Sequence, residues 1–418
     1  MNETPSANRI HIGFFGRRNT GKSSLVNAVT GQDLALVSDV KGTTTDPVYK
    51  AMELLPLGPV VIIDTPGIDD EGELGEQRVR RAGRVLNKTD IAVLVIEYPS
   101  HRGAEARGTQ KKEGVCEAAL CNEEKQLVNI FKEKKIPYII VQNKYDLVDE
   151  KCSPLPAPCS PLPILPVSAK TGCNINLLKE TIAALVPTEE PCRRLAADLI
   201  SPSDFVVLVI PIDKAAPKGR LILPQQQVIR DILESGATAV AVRNSELAQT
   251  LASLGKRPAL VITDSQVFAE VSAAVPPQIP LTSFSILFAR YKDSLESSVL
   301  GIAALDSLQD GDKILICEGC THHRQCDDIG TVKIPRMIKN YTKKEPEFSF
   351  RSGGDFSDDL SPYKMVIHCG ACMLNDREMQ YRRRCADDQN IPFTNYGICI
   401  AHIQGILERS IAIFDLKL

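Results

Sequence analysis

The eight residues Gly16-Arg17-Arg18-Asn19-Thr20-Gly21-Lys22-Ser23 fit G-x-x-x-x-G-K-S, and they lie between an apolar run at 10–15 and a helical stretch from about Lys22. In that context the pattern is a phosphate loop. Its glycines let backbone amides curl round phosphate, and the helix start adds positive dipole. Lys22 is placed to reach the β- and γ-phosphates, and Ser23 to ligate Mg²⁺. The motif therefore demands a strand, a tight turn and a helix, and so an α/β fold.

Four further elements follow in the matching order. Lys41-Gly42-Thr43-Thr44-Thr45 supplies a hydroxyl for the γ-phosphate and Mg²⁺, and Asp64-Thr65-Pro66-Gly67 ends an apolar run with a carboxylate for Mg²⁺ and a glycine amide for the γ-phosphate. Asn143-Lys144-Tyr145-Asp146 ends another such run. Asp146 can accept from the N1–H and 2-amino donors of guanine, which adenine lacks. Ser168-Ala169-Lys170 would close over the base. The joint pattern selects GTP over ATP. Apolar runs at 60–63, 91–96, 136–141 and 164–167 alternate with helical stretches at 76–86 and 123–134, which implies a mostly parallel, helix-covered sheet.

The chain has 418 residues, enough for two to four domains. A Pro-rich segment at 187–191 closes the first unit. A second short α/β pattern runs from 205 to 262, with no chemical motif of its own. Prolines at 276, 277 and 280 mark a second boundary, followed by a long helical stretch, 283–308, and strand-like runs at 313–317, 348–350 and 365–368. The expected fold class is α/β in three domains: a Ras-like P-loop GTPase domain at 1–190, then two smaller α/β domains at 191–278 and 279–418. Segments 99–122 and 152–163 break the first pattern and read as surface insertions.

No apolar run is long enough to span a bilayer, and the polar start lacks the features of a secretory signal. A cytoplasmic protein without a membrane partner is expected. The formal net charge of −3 gives no general attraction to nucleic acid. Arg382-Arg383-Arg384 reads as the solvated face of a helix. In a reducing compartment the thirteen cysteines point to metal more than to disulfides.

Two metal-type half-sites stand in the last quarter of the chain: Cys320-Thr321-His322 and His368-Cys369-Gly370-Ala371-Cys372. Three thiolates and two imidazoles suit either a Cys₃His zinc site or an iron–sulfur cluster held by three Cys. Each half follows an apolar run. If those runs are neighbouring parallel strands, the ligands project from their carboxyl ends, where open α/β sheets bind cofactors. Cys317, Cys326, Cys385 and Cys399 read as core or surface positions.

Residues 9–187 resemble a translation-factor-class GTPase of the TrmE/Era type. That resemblance assigns Gly16, Asn19, Thr20, Gly21, Lys22, Ser23, Ser24, Thr43, Thr44, Thr45, Asp64, Gly67, Asn143, Lys144, Asp146, Ser168, Ala169 and Lys170 to the nucleotide, with Lys22, Thr45, Asp64 and Gly67 catalytic. Position 68 is Ile, which cannot orient water as the glutamine of Ras-like enzymes does. Asn19 matches the position that ligates K⁺ in potassium-activated relatives, so Mg²⁺ at Ser23 and K⁺ at Asn19 are both implied.

With the C-x-H and H-C-x-x-C pair downstream, nearly the whole chain resembles the FeFe-hydrogenase maturation GTPases, the HydF family. The resemblance implies a 4Fe-4S cluster on Cys320, Cys369 and Cys372, with His322 and His368 matching the family's paired histidines; for the exchangeable fourth iron, His322, His368 and the nearby Asp327 are candidate weak ligands. It further implies a scaffold or carrier for the di-iron subcluster of the hydrogenase active site, a homodimer or dimer of dimers, and as partners the radical-SAM maturases HydE and HydG and the apo-hydrogenase HydA. The competing expectation is a tRNA-modifying or ribosome-associated GTPase with structural zinc.

Overall fold

The computed structural model describes residues 4–32, 47–67, 83–97, 120–147, 164–186, 193–212, 221–320 and 328–416. The chain divides into two compact units, Met1–Glu190 and Pro191–Leu418.

The first unit is built on strands β1 (Ile10–Phe15), β2 (Val48–Leu54), β3 (Gly58–Asp64), β4 (Ile91–Glu97), β5 (Tyr138–Asn143) and β6 (Ile164–Pro166), in sheet order β2-β3-β1-β4-β5-β6. All pairs are parallel except β2 with β3. The inner strands are nearly continuous apolar runs because both sheet faces are covered. Ile12, Phe14 and Val93 pack on one side with Leu25 and Val29 of the helix Lys22–Thr30 and with Leu178 and Ile182 of the helix Ile175–Ala184. Phe15, Ile63 and Leu94 pack on the other with Leu127 and Phe131 of the helix Asn122–Glu133. The expected parallel pattern is present; β2, an exposed edge strand without an apolar run, was not legible in it.

The second unit holds two four-stranded, wholly parallel sheets. One comprises β7 (Phe205–Val209), β8 (Thr238–Val242), β9 (Leu260–Thr263) and β10 (Leu281–Ser283), in the order β10-β9-β7-β8. The other comprises β11 (Lys313–Glu318), β12 (Glu347–Ser352), β13 (Met365–His368) and β14 (Phe393–Asn395), in the order β12-β11-β13-β14. A single core joins them, with Val207, Val261 and Leu281 from the first and Ile314, Ile316 and Ile367 from the second. The first sheet's last strand thus lies beyond the expected boundary at 278, because β10 must pair with β9 before the chain can leave the sheet.

The long helix expected at 283–308 is broken. Helices Phe284–Tyr291 and Leu295–Gly301 are separated by a turn at Asp293, with φ of +56°, and a 3-10 segment takes Ile302–Ser307. Asp is among the few residues with a Cβ that take this left-handed conformation readily, and it stops the first helix. Among the described residues, no helix is long and apolar enough to cross a membrane.

Candidate functional site

The phosphate loop joins β1 to the helix Lys22–Thr30. Gly16 has φ of +145°, and a Cβ there would lie 2.2 Å from the Val95 carbonyl oxygen of β4, so no larger residue fits. Lys22 is buried, its ammonium donating to the carbonyls of Gly16 at 3.1 Å and Arg17 at 2.7 Å. Ser23 Oγ donates to Asp64 Oδ2 at 2.6 Å, so the hydroxyl and carboxylate expected to share Mg²⁺ are adjacent. Asp64 is 2 % exposed, and its Oδ1 is buried without a partner. Burial raises its pKa, opposed by the Ser23 hydroxyl and the Lys22 charge. Gly67 lies against the loop: a Cβ on it would come within 2.4 Å of Arg18 Cγ.

The base-side residues are tied to the same loop. Asn143, at the end of β5, donates through Nδ2 to the Thr20 carbonyl at 3.0 Å and accepts the Ala169 N–H at 3.1 Å. It is therefore a brace between the phosphate loop and the Ser168–Lys170 turn. Asp146 Oδ1 accepts from Ser168 Oγ at 2.6 Å, and Ser168 Oγ accepts from Thr171 N at 3.2 Å, so the carboxylate is oriented. Lys144 pairs with Glu97 at 2.8 Å, and Lys170 is exposed. Ser24 is half-buried in the first helical turn. Asn19 is exposed at the loop tip with φ of +61°, a conformation Asn tolerates better than most. Thr43, Thr44, Thr45 and Ile68 lie outside the described residues, as do most of the insertions at 99–122 and 152–163. Cys173, whose carbonyl accepts the Ser168 N–H at 3.1 Å, is disulfide-bonded, whereas the sequence pointed to metal more than to disulfides.

Replacing Asp146 with Asn exchanges one acceptor oxygen for a donor. GTP affinity is expected to fall about 10- to 100-fold, the value of one charge-assisted hydrogen bond, while xanthine nucleotides gain. Competition binding with GTP and XTP checks it; an unchanged base preference contradicts the role.

In the second unit, β11 and β13 are parallel neighbours with Cys317 opposite His368. The two thiol-bearing segments therefore leave the carboxyl ends of adjacent strands, which meets the condition the sequence reading set. Cys369 N donates to the Cys317 carbonyl at 2.9 Å. Cys369 Sγ accepts from Gly319 N at 3.1 Å and from Ala371 N at 3.4 Å. Ala371 has φ of +55°, which curls the 369–372 turn back over the strand end. Burial pushes the Cys372 thiol up to about 12, and Cys369 and Cys320 add to it. Cys317, buried and also raised to about 12, and Cys399 belong to the cores; Cys385 is half-buried. Among the described residues, no three His, Cys, Asp or Glu side chains are placed to hold a single metal ion. His322, Cys326 and Asp327 lie outside the described residues.

Two expectations are corrected here. His368 is not free to ligate: it is fully buried, Nε2 meets Arg382 Nη1 at 3.0 Å and Nδ1 meets the Cys369 carbonyl at 2.9 Å. Burial and the Arg382 charge hold its pKa down at about 3. Arg382 is not on a solvated face. It is 0 % exposed, bonded through Nε and Nη2 to Glu378 Oε1 at 2.9 and 2.8 Å. The signal available was Glu378-x₃-Arg382, an i,i+4 pair on one helix face; its burial follows only from helix Asp376–Asp388 packing on the sheet.

Comparison with known proteins gives three family matches. Residues 296–413 match the hydrogen maturase F tetramerization domain and residues 195–293 the hydrogen maturase F dimerization domain, which together take in more than half of the chain. Residues 11–144 match a 50S ribosome-binding GTPase domain. Both maturase matches begin after the phosphate-loop unit, and the boundary between them falls after β10. GTPase Der of Wolinella succinogenes is 29 % identical over 211 residues, 48 % of this chain and 40 % of that protein. GTPase Era of Heliobacterium modesticaldum is 29 % identical over 206 residues, 45 % of this chain and 62 % of that protein. The chain thus spans less than two thirds of the length of either relative. The structure of Aquifex aeolicus Era bound to GDP and AlF₄⁻ aligns with a TM-score of 0.32 and 21 % identity, covering 56 % of this chain and 92 % of that one.

Proposed function

We propose, because this chain belongs to the hydrogen maturase F family and carries an Era/TrmE-type GTPase domain, that GTP hydrolysis in the first unit gates assembly or transfer of the di-iron subcluster of an FeFe-hydrogenase by the second. The observation supporting this reading is that the segments bearing Cys320 and Cys369–Cys372 follow the carboxyl ends of two adjacent parallel strands, in the same polypeptide as a phosphate loop.

At the nucleotide, Lys22 exchanges its two carbonyl acceptors for the β- and γ-phosphates, and Asp146 reads the guanine edge. The orphaned Asp64 Oδ1 and the Ser23 hydroxyl fit Mg²⁺, which would neutralise charge developing on the phosphates. Thr45 and Gly67 would approach the γ-phosphate. With Ile at position 68 there is no side chain there to orient water, and K⁺ at Asn19 would supply positive charge instead. Turnover should be faster in KCl than in NaCl at equal ionic strength. Equal rates leave Asn19 as a turn residue.

Cys320, Cys369 and Cys372 suit a 4Fe-4S cluster: the Cys369 sulfur already accepts two backbone N–H groups, the arrangement that stabilises a thiolate. A cubane held by three thiolates presents one iron for an exchangeable ligand, His322 or Asp327 remaining candidates. These residues would hold the resident cluster while the di-iron unit, the cargo, is received from HydE and HydG and passed to HydA. Anaerobic purification, iron and sulfide analysis and electron paramagnetic resonance test the reading; iron with sulfide and a reduced cubane signal are expected. A stoichiometric, colourless zinc site would favour the second reading, a ribosome-associated or tRNA-modifying GTPase, which rests on the match of residues 11–144.

The dimerization and tetramerization domains make this an oligomeric protein. A homodimer or dimer of dimers is proposed, and β8 is a free sheet edge among the described strands, suited to pairing. Light scattering of the full chain should give twice or four times 45.7 kDa. A mass of one chain at micromolar concentration contradicts it.

A further inference from the structure

We infer that Arg382 is a positioning residue for the thiol-bearing turn: its guanidinium fixes the tautomer of His368, and His368 in turn fixes the Cys369 carbonyl. The inference rests on the cluster reading above and adds a residue pair that supports it from beneath.

An arginine side chain has only donors, so at 3.0 Å from Arg382 Nη1 the Nε2 of His368 must present its lone pair. The ring proton is then on Nδ1, which donates to the Cys369 carbonyl at 2.9 Å. The opposite tautomer would set N–H against N–H at one end and a lone pair against a carbonyl at the other. The ring itself is stacked on Phe393, with centroids 5.9 Å apart, so it cannot rotate away.

Arg382 is equally constrained. Glu378 Oε1 accepts from both Nε and Nη2, the Gly353 carbonyl accepts from Nη2 at 2.5 Å, and the guanidinium lies 5.1 Å from the Phe356 ring centroid. Each guanidinium nitrogen has a fixed acceptor, and a lysine could not span them. Cys369 is thereby held at its N–H by Cys317, at its carbonyl by His368 and at its sulfur by Gly319 and Ala371. Metal ligands are commonly oriented by such supporting bonds. Here the histidine acts on the ligand's main chain and does not touch the metal.

The test uses the full chain, purified without oxygen and reconstituted with iron and sulfide. Arg382→Met alone strands Glu378 as a buried unpaired carboxylate, so it is made together with Glu378→Gln, which removes both charges of the pair and leaves the local net charge unchanged. Selective ¹⁵N-histidine NMR of the metal-free protein should show a single Nδ1–H tautomer for His368 in the natural chain and a mixture in the double variant. The cubane resonance should shift or broaden in the double variant, and a change at constant net charge reports geometry.

Two further variants separate support from mere packing. His368→Asn retains an N–H near the Nδ1 position and should keep the natural resonance signal; His368→Leu fills similar space without a donor and should not. If the double variant does not fold, this pair decides the question. An unchanged tautomer with an unchanged resonance, or identical signals from His368→Asn and His368→Leu, overturns the inference. A natural chain that binds no cubane overturns the cluster reading instead, and the tautomer measurement still decides the role of Arg382.

Discussion

Lys22→Ala is expected to lower GTP turnover by on the order of 10²–10³, the usual effect of removing one charge that stabilises the transition state. The structure places this ammonium inside the loop, 3.1 and 2.7 Å from two loop carbonyls, where it is buried. The fold should survive. Losing these two bonds costs about 1.5 kcal/mol each, the low end for bonds to a charged group, because the carbonyls can be solvated once the side chain is gone. Ser23→Ala should have a comparable effect on turnover by removing the hydroxyl beside Asp64. Phosphate release from GTP, with circular dichroism as the fold control, checks both variants. Turnover within a few-fold of the natural chain in either would contradict the assignment.

Cys369→Ser is expected to cause near-complete loss of cluster iron and sulfide, and with it loss of hydrogenase activation. Serine is almost isosteric, and its hydroxyl can still accept from Gly319 and Ala371, so the metal-free turn should keep its shape. What changes is the donor: an alkoxide is far harder to form than a thiolate and is a poor match for iron–sulfur chemistry. Cys320→Ser and Cys372→Ser should behave alike. Iron and sulfide per chain, measured after anaerobic reconstitution, decide the matter, and a Cys369→Ser protein with full iron and a normal cubane signal would remove these residues from the site.

Much of this architecture is local information. A glycine-rich turn between an apolar strand and a helix can be read residue by residue, because backbone conformation and hydrogen-bonding groups follow from nearest neighbours, as at Gly16, Gly21 and Lys22. The inner strands were legible for the same reason: both faces are buried, so the runs are continuously apolar. Edge strand β2 was not, since its exposed residues carry no periodic pattern. Short strands β10 and β14, three residues each, exist only through their neighbours, and no three-residue pattern can announce them.

The thiol site shows the same division. Sequence alone determined that three cysteines end apolar runs, and hence where a cluster could stand. It could not say that β11 and β13 are adjacent, because strand order is a non-local property; the structure decided it through the Cys317–His368 register. Nor could sequence distinguish His368 from a ligand or Arg382 from a surface charge. Both readings depend on what lies beyond the chain's own neighbours: Glu378 one helical turn away, Phe393 and Gly353 from distant segments, and the burial that obliges every donor and acceptor among them to find a partner. Chemistry was written in the residue types, and roles were assigned only when packing removed water and set particular partners against these buried polar groups.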